Sequence, residues 1–199
     1  HVGWVMELLG LRGGEVQKIE QRVDRMHIEC EIPARGLIGL RSRMLTATAG
    51  EVVIYHCFQK YAPIRTTMYR RATGVLIATA PGNVTTYSML NISQRGILFV
   101  DPQEVIYAGQ IVGENSRDND LDVNITKGKA FSNVRESNKE ATVVLKASRE
   151  ITLEAALEYI QDDELVEITP DDIRLRKKEL SETNRKKVAR RKQPAEQKK

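Results

Sequence analysis

The sequence predicts an α+β chain built in two unlike parts, and three patterns carry that prediction. Val2, Val5, Met6 and Leu9 fall on one face of a helix. Met26, Ile28, Cys30 and Ile32 alternate with His27, Glu29 and Glu31, the period of a half-buried strand. From Gly74 to Gly113, short apolar runs are broken every few residues by turn signals such as Pro81-Gly82-Asn83, Asp101-Pro102 and Ala108-Gly109.

In the first part, Gly10 stops the opening helix and Arg12-Gly13-Gly14 makes a turn. Glu15 to Arg22 reads as a strand, paired as a hairpin with the alternating strand across the polar break at Val23-Asp24. Leu37, Leu40, Arg41 and Met44 space as a second helix, and Glu51 to Lys60 is a near-continuous apolar strand. The order is α-β-β-α-β. One strand placed ahead of His1 completes the split βαβ, ferredoxin-like unit, an antiparallel sheet with both helices on one face. This domain is expected over 1–62 with its first strand missing.

Residues 63–73 read as a linker, and a β-rich domain is expected over 74–180. Its strands are Gly74 to Ala80, Thr85 to Leu90, Ile97 to Val100, Val105 to Tyr107 and Gln110 to Gly113, with Ala141 to Lys146 returning the chain after a long loop. Thr152 caps a helix over Leu153 to Ile160. Leu165 to Ile168 is extended. Thr169-Pro170-Asp171-Asp172 fits either a helix start or a turn before the alternating Ile173 to Arg176. Residues 181–199 form a basic tail, as a helix or as a disordered end.

The chain of 199 residues holds 31 Lys/Arg against 27 Asp/Glu, but unevenly. Arg174 to Lys199 carries twelve cations and three acids, while the rest carries nineteen cations and twenty-four acids. An acidic body with a basic tail points to an acidic polymer as partner. A solubilising end is the other reading, and the missing apolar face makes a membrane surface the poorest. No apolar run reaches the ~20 residues of a membrane span, and no signal-peptide pattern opens the chain. Two cysteines far apart suit a reducing compartment, so a cytoplasmic location is expected.

The stretch Ile111 to Lys139 draws the functional reading. From Asn124 it is poor in apolar residues and unsuited to a core, carrying Lys127, Lys129, Arg135 and Lys139 against the single acid Glu136. Gly128, Ser132 and Asn133 lie among those cations. Amides, hydroxyls and Lys/Arg at this spacing suit phosphate and sugar contacts on nucleic acid. They also suit a solvated surface loop.

Sites for chemistry fail on spacing. Asp118, Asp120 and Asp122 begin like a calcium loop, but Val123 stands where glycine is required and Lys129 where the bidentate acid belongs. Gly128-Lys129 ends like a phosphate-binding loop, yet Val123 replaces its first glycine and Ala130 its Ser/Thr. His27 and Cys30, like His56 and Cys57, face opposite sides of an extended chain, so buried thiols and surface imidazoles are expected in place of zinc. No catalytic residue, metal site or cofactor is assigned. The chain reads as a binder.

The runs RGLIGLRS (Arg35 to Ser42), GVLIATAPGNVTTYSMLNISQRGILFVDP, IVGENSRDNDLDVNITKGKAFSNVR and ALEYIQDDELVEITPDDIRLRKKEL together resemble the C-terminal half of translational GTPases of the TypA/BipA family. The resemblance implies a first domain like the fifth of elongation factor G, a family-specific second domain, and a GTPase domain, with its GTP and Mg, lying upstream. It implies a partner in the ribosome (23S rRNA near the A site) and in tRNA, contacted through a loop over Asn124 to Lys139. Carried over by matching residues, Lys127, Lys129, Ser132, Asn133, Arg135 and Lys139 are RNA contacts, while Arg117, Asp118, Asn119 and Gly128 shape the loop. In the tail, Arg185, Lys186, Lys187, Arg190 and Arg191 are further RNA contacts. A monomer is expected. The rivals are a protein-interaction module with a solubilising tail, and an enzyme using the Asp118/Asp120/Asp122 cluster with a divalent metal.

Overall fold

The computed structural model describes residues 1–64, 71–128 and 145–196. The chain divides into two compact units, His1–Arg70 and Arg71–Lys199.

In the first unit, helix α1 (Val2–Leu11) leads into a hairpin of β1 (Glu15–Arg22) and β2 (Arg25–Glu31), as the alternation predicts. A 3-10 turn (Ala34–Leu37) precedes α2 (Leu40–Ala47). Leu9, Leu40 and Met44 are buried together, and Ile28, Cys30, Ile32, Val52 and Ile54 pack on them. Both helices therefore cover one face of the hairpin. The guanidinium of Arg12 is buried and donates to the carbonyl of Gly36 at 3.0 Å and to that of Ile38, tying the end of α1 to the 3-10 turn.

Glu51 to Lys60 departs from expectation. Val52 and Ile54 turn inward while Val53 and Tyr55 are exposed, so the segment is extended, but it joins no ladder among the described residues. In a split βαβ sheet the closing strand does not bond to the hairpin, and among the described residues side chains tie this segment to it. Gln59 Nε2 donates to Glu31 at 2.9 Å and Lys60 pairs with the same carboxylate at 3.0 Å. Cys30 is half-buried, and burial pushes its thiol pKa up; Cys57 is exposed, contrary to the expectation of two buried thiols.

The second unit is a twisted mixed sheet covered on both faces. Its strands are β3 (Val75–Ala78), a short β4 (Gly82–Asn83), β5 (Gly96–Leu98), β6 (Val105–Ile106), β7 (Gln110–Asn115), β8 (Leu121–Val123), β9 (Glu164–Ile168) and β10 (Ile173–Lys177). The main sheet runs β8-β3-β7-β10-β9, with β5 sharing an edge of β7 and β4 pairing β6 apart. Pairing is antiparallel except between β3 and β8. Every residue of β3 is buried because both faces are covered. Leu76, Ala78 and Val112 face one core with Met89 and Ile92 of α3 (Thr86–Ile92). Val75, Ile77 and Ile111 face the other with Ala156 of α4 (Leu153–Tyr159).

Two elements correct the sequence reading here. Thr85 to Leu90 is helical: Thr85 Oγ1 accepts from Ser88 N–H at 3.3 Å as an N-cap, and Ser88, Met89 and Ile92 are buried. The β-branched and aromatic residues that suggested a strand are outweighed by that cap and by burial at helical spacing. Leu121–Val123, inside the stretch expected to be loop, pairs with β3, and Ile125 beyond it is fully buried. The ambiguous Thr169 to Asp172 is a turn: Thr169 Oγ1 donates to the Asp172 carbonyl at 3.0 Å and the chain returns as β10. Within the tail, Glu182–Glu196 form the helix α5. Of the strand expected over Ala141 to Lys146, residues 141–144 lie outside the described set; 145–146 carry none.

A buried ion network locks this unit at its first residue. Arg71 forks onto Glu164 at 2.9 and 3.1 Å, with side chains 7% and 0% exposed. Lys177 Nζ reaches Glu164 at 3.0 Å, Asp120 at 2.7 Å and Asp163 at 2.8 Å. The Arg71 guanidinium also lies 4.2 Å over the ring of Tyr159. Removing one partner leaves a buried charge uncompensated, so Glu164→Gln is expected to destabilise the unit by about 3–5 kcal/mol in urea unfolding followed by circular dichroism. Burial opposes ionisation of Asp163, but the Lys177 ammonium outweighs it and holds the carboxyl below its ordinary 3.8. A depressed folded pKa contributes stability above the unfolded value and loses it as pH falls through the folded one. The thermal-unfolding midpoint should therefore drop below about pH 4, and Asp163→Asn should flatten that part of the profile.

Candidate nucleic-acid interface

The basic stretch leaves the second unit from its edge strand, and its root is held firmly. The hydroxyls of Thr85 and Ser88 both donate to the carbonyl of Lys127, at 2.7 and 2.6 Å. Thr85 N–H donates to the carbonyl of Ile125 at 3.1 Å. Asn124 Oδ1 accepts from the amide and hydroxyl of Thr126 at 3.1 and 3.0 Å. Buried Ile125 and these bonds fix Asn124 to Lys127 on the start of α3, with the Lys127 and Gly128 side of the root exposed. Lys129, Ser132, Asn133, Arg135 and Lys139 lie outside the described residues.

Arg117, Asp118 and Asn119 form the exposed turn between β7 and β8. Their backbone does the holding: Gly74 N–H donates to the Arg117 carbonyl at 2.7 Å, and Asn115 Nδ2 to the Asn119 carbonyl at 2.5 Å. A Cβ on Gly74 would lie 2.1 Å from that Asn119 oxygen, so only glycine lets the turn close. Asp120 belongs to the frame. One oxygen accepts from Val75 N–H at 3.0 Å and the other meets Lys177. Asp122 pairs with Arg185. Asp120 and Asp122 thus serve separate structural roles, each paired with a cation, while Asp118 lies in the exposed turn.

On α5, Lys186, Lys187 and Arg190 are exposed. Lys186 pairs with Glu182 one turn back, and that partner holds its pKa above the ordinary lysine value. Arg185 is different, being turned onto the domain. Arg191 is on the helix, with its side chain outside the described set.

Sequence reasoning missed a second cationic surface. Between Glu31 and Glu51 there is no acid, and Arg35, Arg41 and Arg43 in that interval are exposed on the 3-10 turn and α2. The signal was an acid-free run, obscured by its apolar neighbours. By contrast, an open cleft of about 850 Å³ in the second unit is lined by Asp101, Glu104, Asp171 and Asp172. Burial raises the Glu104 pKa. This cleft has the wrong sign for phosphate.

Comparison with known proteins agrees with this division. Residues 73–182 match the family model described as the TypA/BipA C-terminal domain, and residues 1–72 match that of the elongation factor G C-terminus. The chain is 43% identical over 192 residues to the large ribosomal subunit assembly factor BipA of Haemophilus influenzae, covering 96% of this chain and 31% of that protein. It is 41% identical over 197 residues to the protein of the same name from Bacillus subtilis, covering 98% and 32%. Against that of Synechocystis it is 42% identical over 177 residues, covering 88% and 30%. The chain spans about a third of the length of these relatives and matches their C-terminal part. With both halves matched in order and identity above 40% across nearly all of its length, the chain belongs to the TypA/BipA family.

Proposed function

We propose that this chain is the ribosome-binding C-terminal part of a translational GTPase and that it recognises ribosomal RNA by its backbone charge. The observation that carries the reading is the identity of 41–43% to relatives named as large ribosomal subunit assembly factors. The geometry supports it. A firmly rooted loop begins with exposed Lys127, and a helix bears exposed Lys186, Lys187 and Arg190. Arg35, Arg41 and Arg43 give the first unit a cationic surface for the same polymer. Lys129, Arg135 and Lys139 would extend the loop's phosphate contacts, with Ser132 and Asn133 as hydrogen-bonding groups, toward rRNA and tRNA near the A site. Turnover of GTP with Mg belongs to the upstream portion of the whole protein, and no chemical step is assigned to residues of this chain. Action on ribosomes implies a cytoplasmic protein. No helix of the described residues is long and apolar enough to cross a membrane.

Binding of this kind should weaken linearly in log–log form as salt rises. Co-sedimentation with 70S ribosomes over a salt series is expected to show saturable binding. In Lys127→Ala/Lys129→Ala/Arg135→Ala the salt slope should fall by about 2 to 3, roughly one per phosphate contact removed. Truncation after Leu180 should lower it further. Binding insensitive to salt, or unchanged in both variants, would instead favour a protein-interaction module with a solubilising tail.

A further inference from the structure

The acidic cleft of the second unit arises where two strands part. β5 and β10 both lie on the edge of β7 opposite β3, β5 against Gly113 to Asn115 and β10 against Gln110 and Ile111. Continued in register, Ile173 would face Gly113, a place that Leu98 already holds, so β10 turns away from β5 and the sheet opens. The chain ahead of α4 walls the opening on one side, with Arg149 N–H donating to the Leu98 carbonyl at 2.8 Å. The turn from β9 to β10 walls the other.

Two properties of the lining decide what fits it. Its ionisable groups are Asp101, Glu104, Glu150, Asp171 and Asp172 against Arg174 alone, and that guanidinium is paired with Asp172 at 2.8 Å. Burial foremost, and then the charges of Asp172 and Asp101, raise the Glu104 pKa, so the carboxylates repel one another in a partly enclosed space. They come from three separate stretches of chain, and among the described residues no three of His, Cys, Asp or Glu gather as metal ligands would. Acids spread in this way suit cations that are themselves spaced along a chain. The second property is apolar. Leu153 at the start of α4 and Ile168 at the end of β9 both line the cleft and are 43% and 63% exposed. A hydrated ion or a polyamine gains nothing from them, whereas a polypeptide with aliphatic side chains does.

We propose that this cleft binds an extended, lysine- and arginine-rich segment of a partner protein, its cations set against the spaced carboxylates and its aliphatic side chains on Leu153 and Ile168. Charge complementarity steers such a segment in and rejects acidic partners, and apolar burial holds it there. The cleft repels nucleic acid by its sign, so the inference stands apart from the RNA-binding reading above and does not depend on it.

The test titrates the full 199-residue chain into a short fluorescein-labelled peptide in which lysine alternates with valine, followed by fluorescence anisotropy. Saturable binding is expected. Glu104→Gln/Asp171→Asn should weaken it about tenfold, as removal of charge partners at an interface does. Ile168→Ser, at a position exposed enough to leave the fold intact, should weaken it about threefold through lost apolar burial. A peptide with serine in place of each valine should bind about tenfold more weakly than the valine peptide. The methyl resonances of Ile151, Leu153 and Ile168 should shift on adding the valine peptide, while those of the first unit stay in place. If the serine peptide binds as tightly, or if spermidine displaces the valine peptide at equal concentration, the cleft attracts cations without reading a polypeptide and the proposal is overturned. Absence of saturable binding by the parent overturns it, as does parent-like binding by either variant. An RNA oligonucleotide that shifts the same three methyl groups would assign the cleft to nucleic acid and overturn it as well.

Discussion

The second unit is organised by one buried carboxylate. Glu164 begins β9, is fully enclosed, and accepts from both Arg71 and Lys177. Neither a lone glutamate nor a lone arginine is tolerable at that depth, so each requires the other, and the requirement fixes geometry more than it adds net stability. Through Arg71 the carboxylate binds the first residue of the unit, and through Lys177 the last residue of β10. Lys177 passes the constraint to Asp120, which in turn accepts from the first amide of β3. Four segments distant in sequence are thus joined by one chain of charge-assisted hydrogen bonds.

That frame determines where the basic segments emerge. Asp120 closes the turn after β7, and β8 follows at once, parallel to β3 on the edge of the sheet. A parallel edge strand of three residues is a weak element by itself. It is held here at both ends, by Asp120 before it and by the bonds from Thr85 and Ser88 after it. On the proposed reading, a loop that meets RNA gains from such a root, because ordering is already complete where the loop leaves the domain.

Much of this was legible in the residues. Strict alternation located β2, and the stripe Leu153, Ala156, Leu157 and Ile160 located α4, each within a residue or so. The long motifs located the family. The misplacements have physical causes. Thr85 to Leu90 carries strand-forming side chains, but a single hydroxyl cap and three buried positions turn it into helix. β8 is too short to show a period, and it exists because β3 offers it an edge, a tertiary fact. The near-continuous apolar run of Glu51 to Lys60 predicts a strand, and the segment is extended but joins no ladder among the described residues, since apolar content reports burial and not who supplies the hydrogen bonds. For the site, Lys127 and the tail could be read as cations, yet what each cation touches could not.

That last distinction limits any argument from charge composition. Arg12 is spent on backbone carbonyls inside the first unit, Arg71 and Lys177 on Glu164, and Arg185 on Asp122 and two carbonyls. None of these guanidinium or ammonium groups can leave its partners without stranding a buried or half-buried acid or carbonyl. On the proposed reading, phosphate attraction at short range comes from cations that stay exposed, among them Lys127, Lys186, Lys187 and Arg190. Such a division between cations that brace and cations that present would, on that reading, let the surface of the second unit be rigid and positive at once. Bracing groups are held by their partners, and those of Arg71, Lys177 and Arg185 include carboxylates that offset their charge. The two kinds meet in successive residues of α5, where Arg185 is turned inward and Lys186 outward. A helix advances about 100° per residue, so a braced position and a presented one can be neighbours in sequence while facing the domain and solvent respectively.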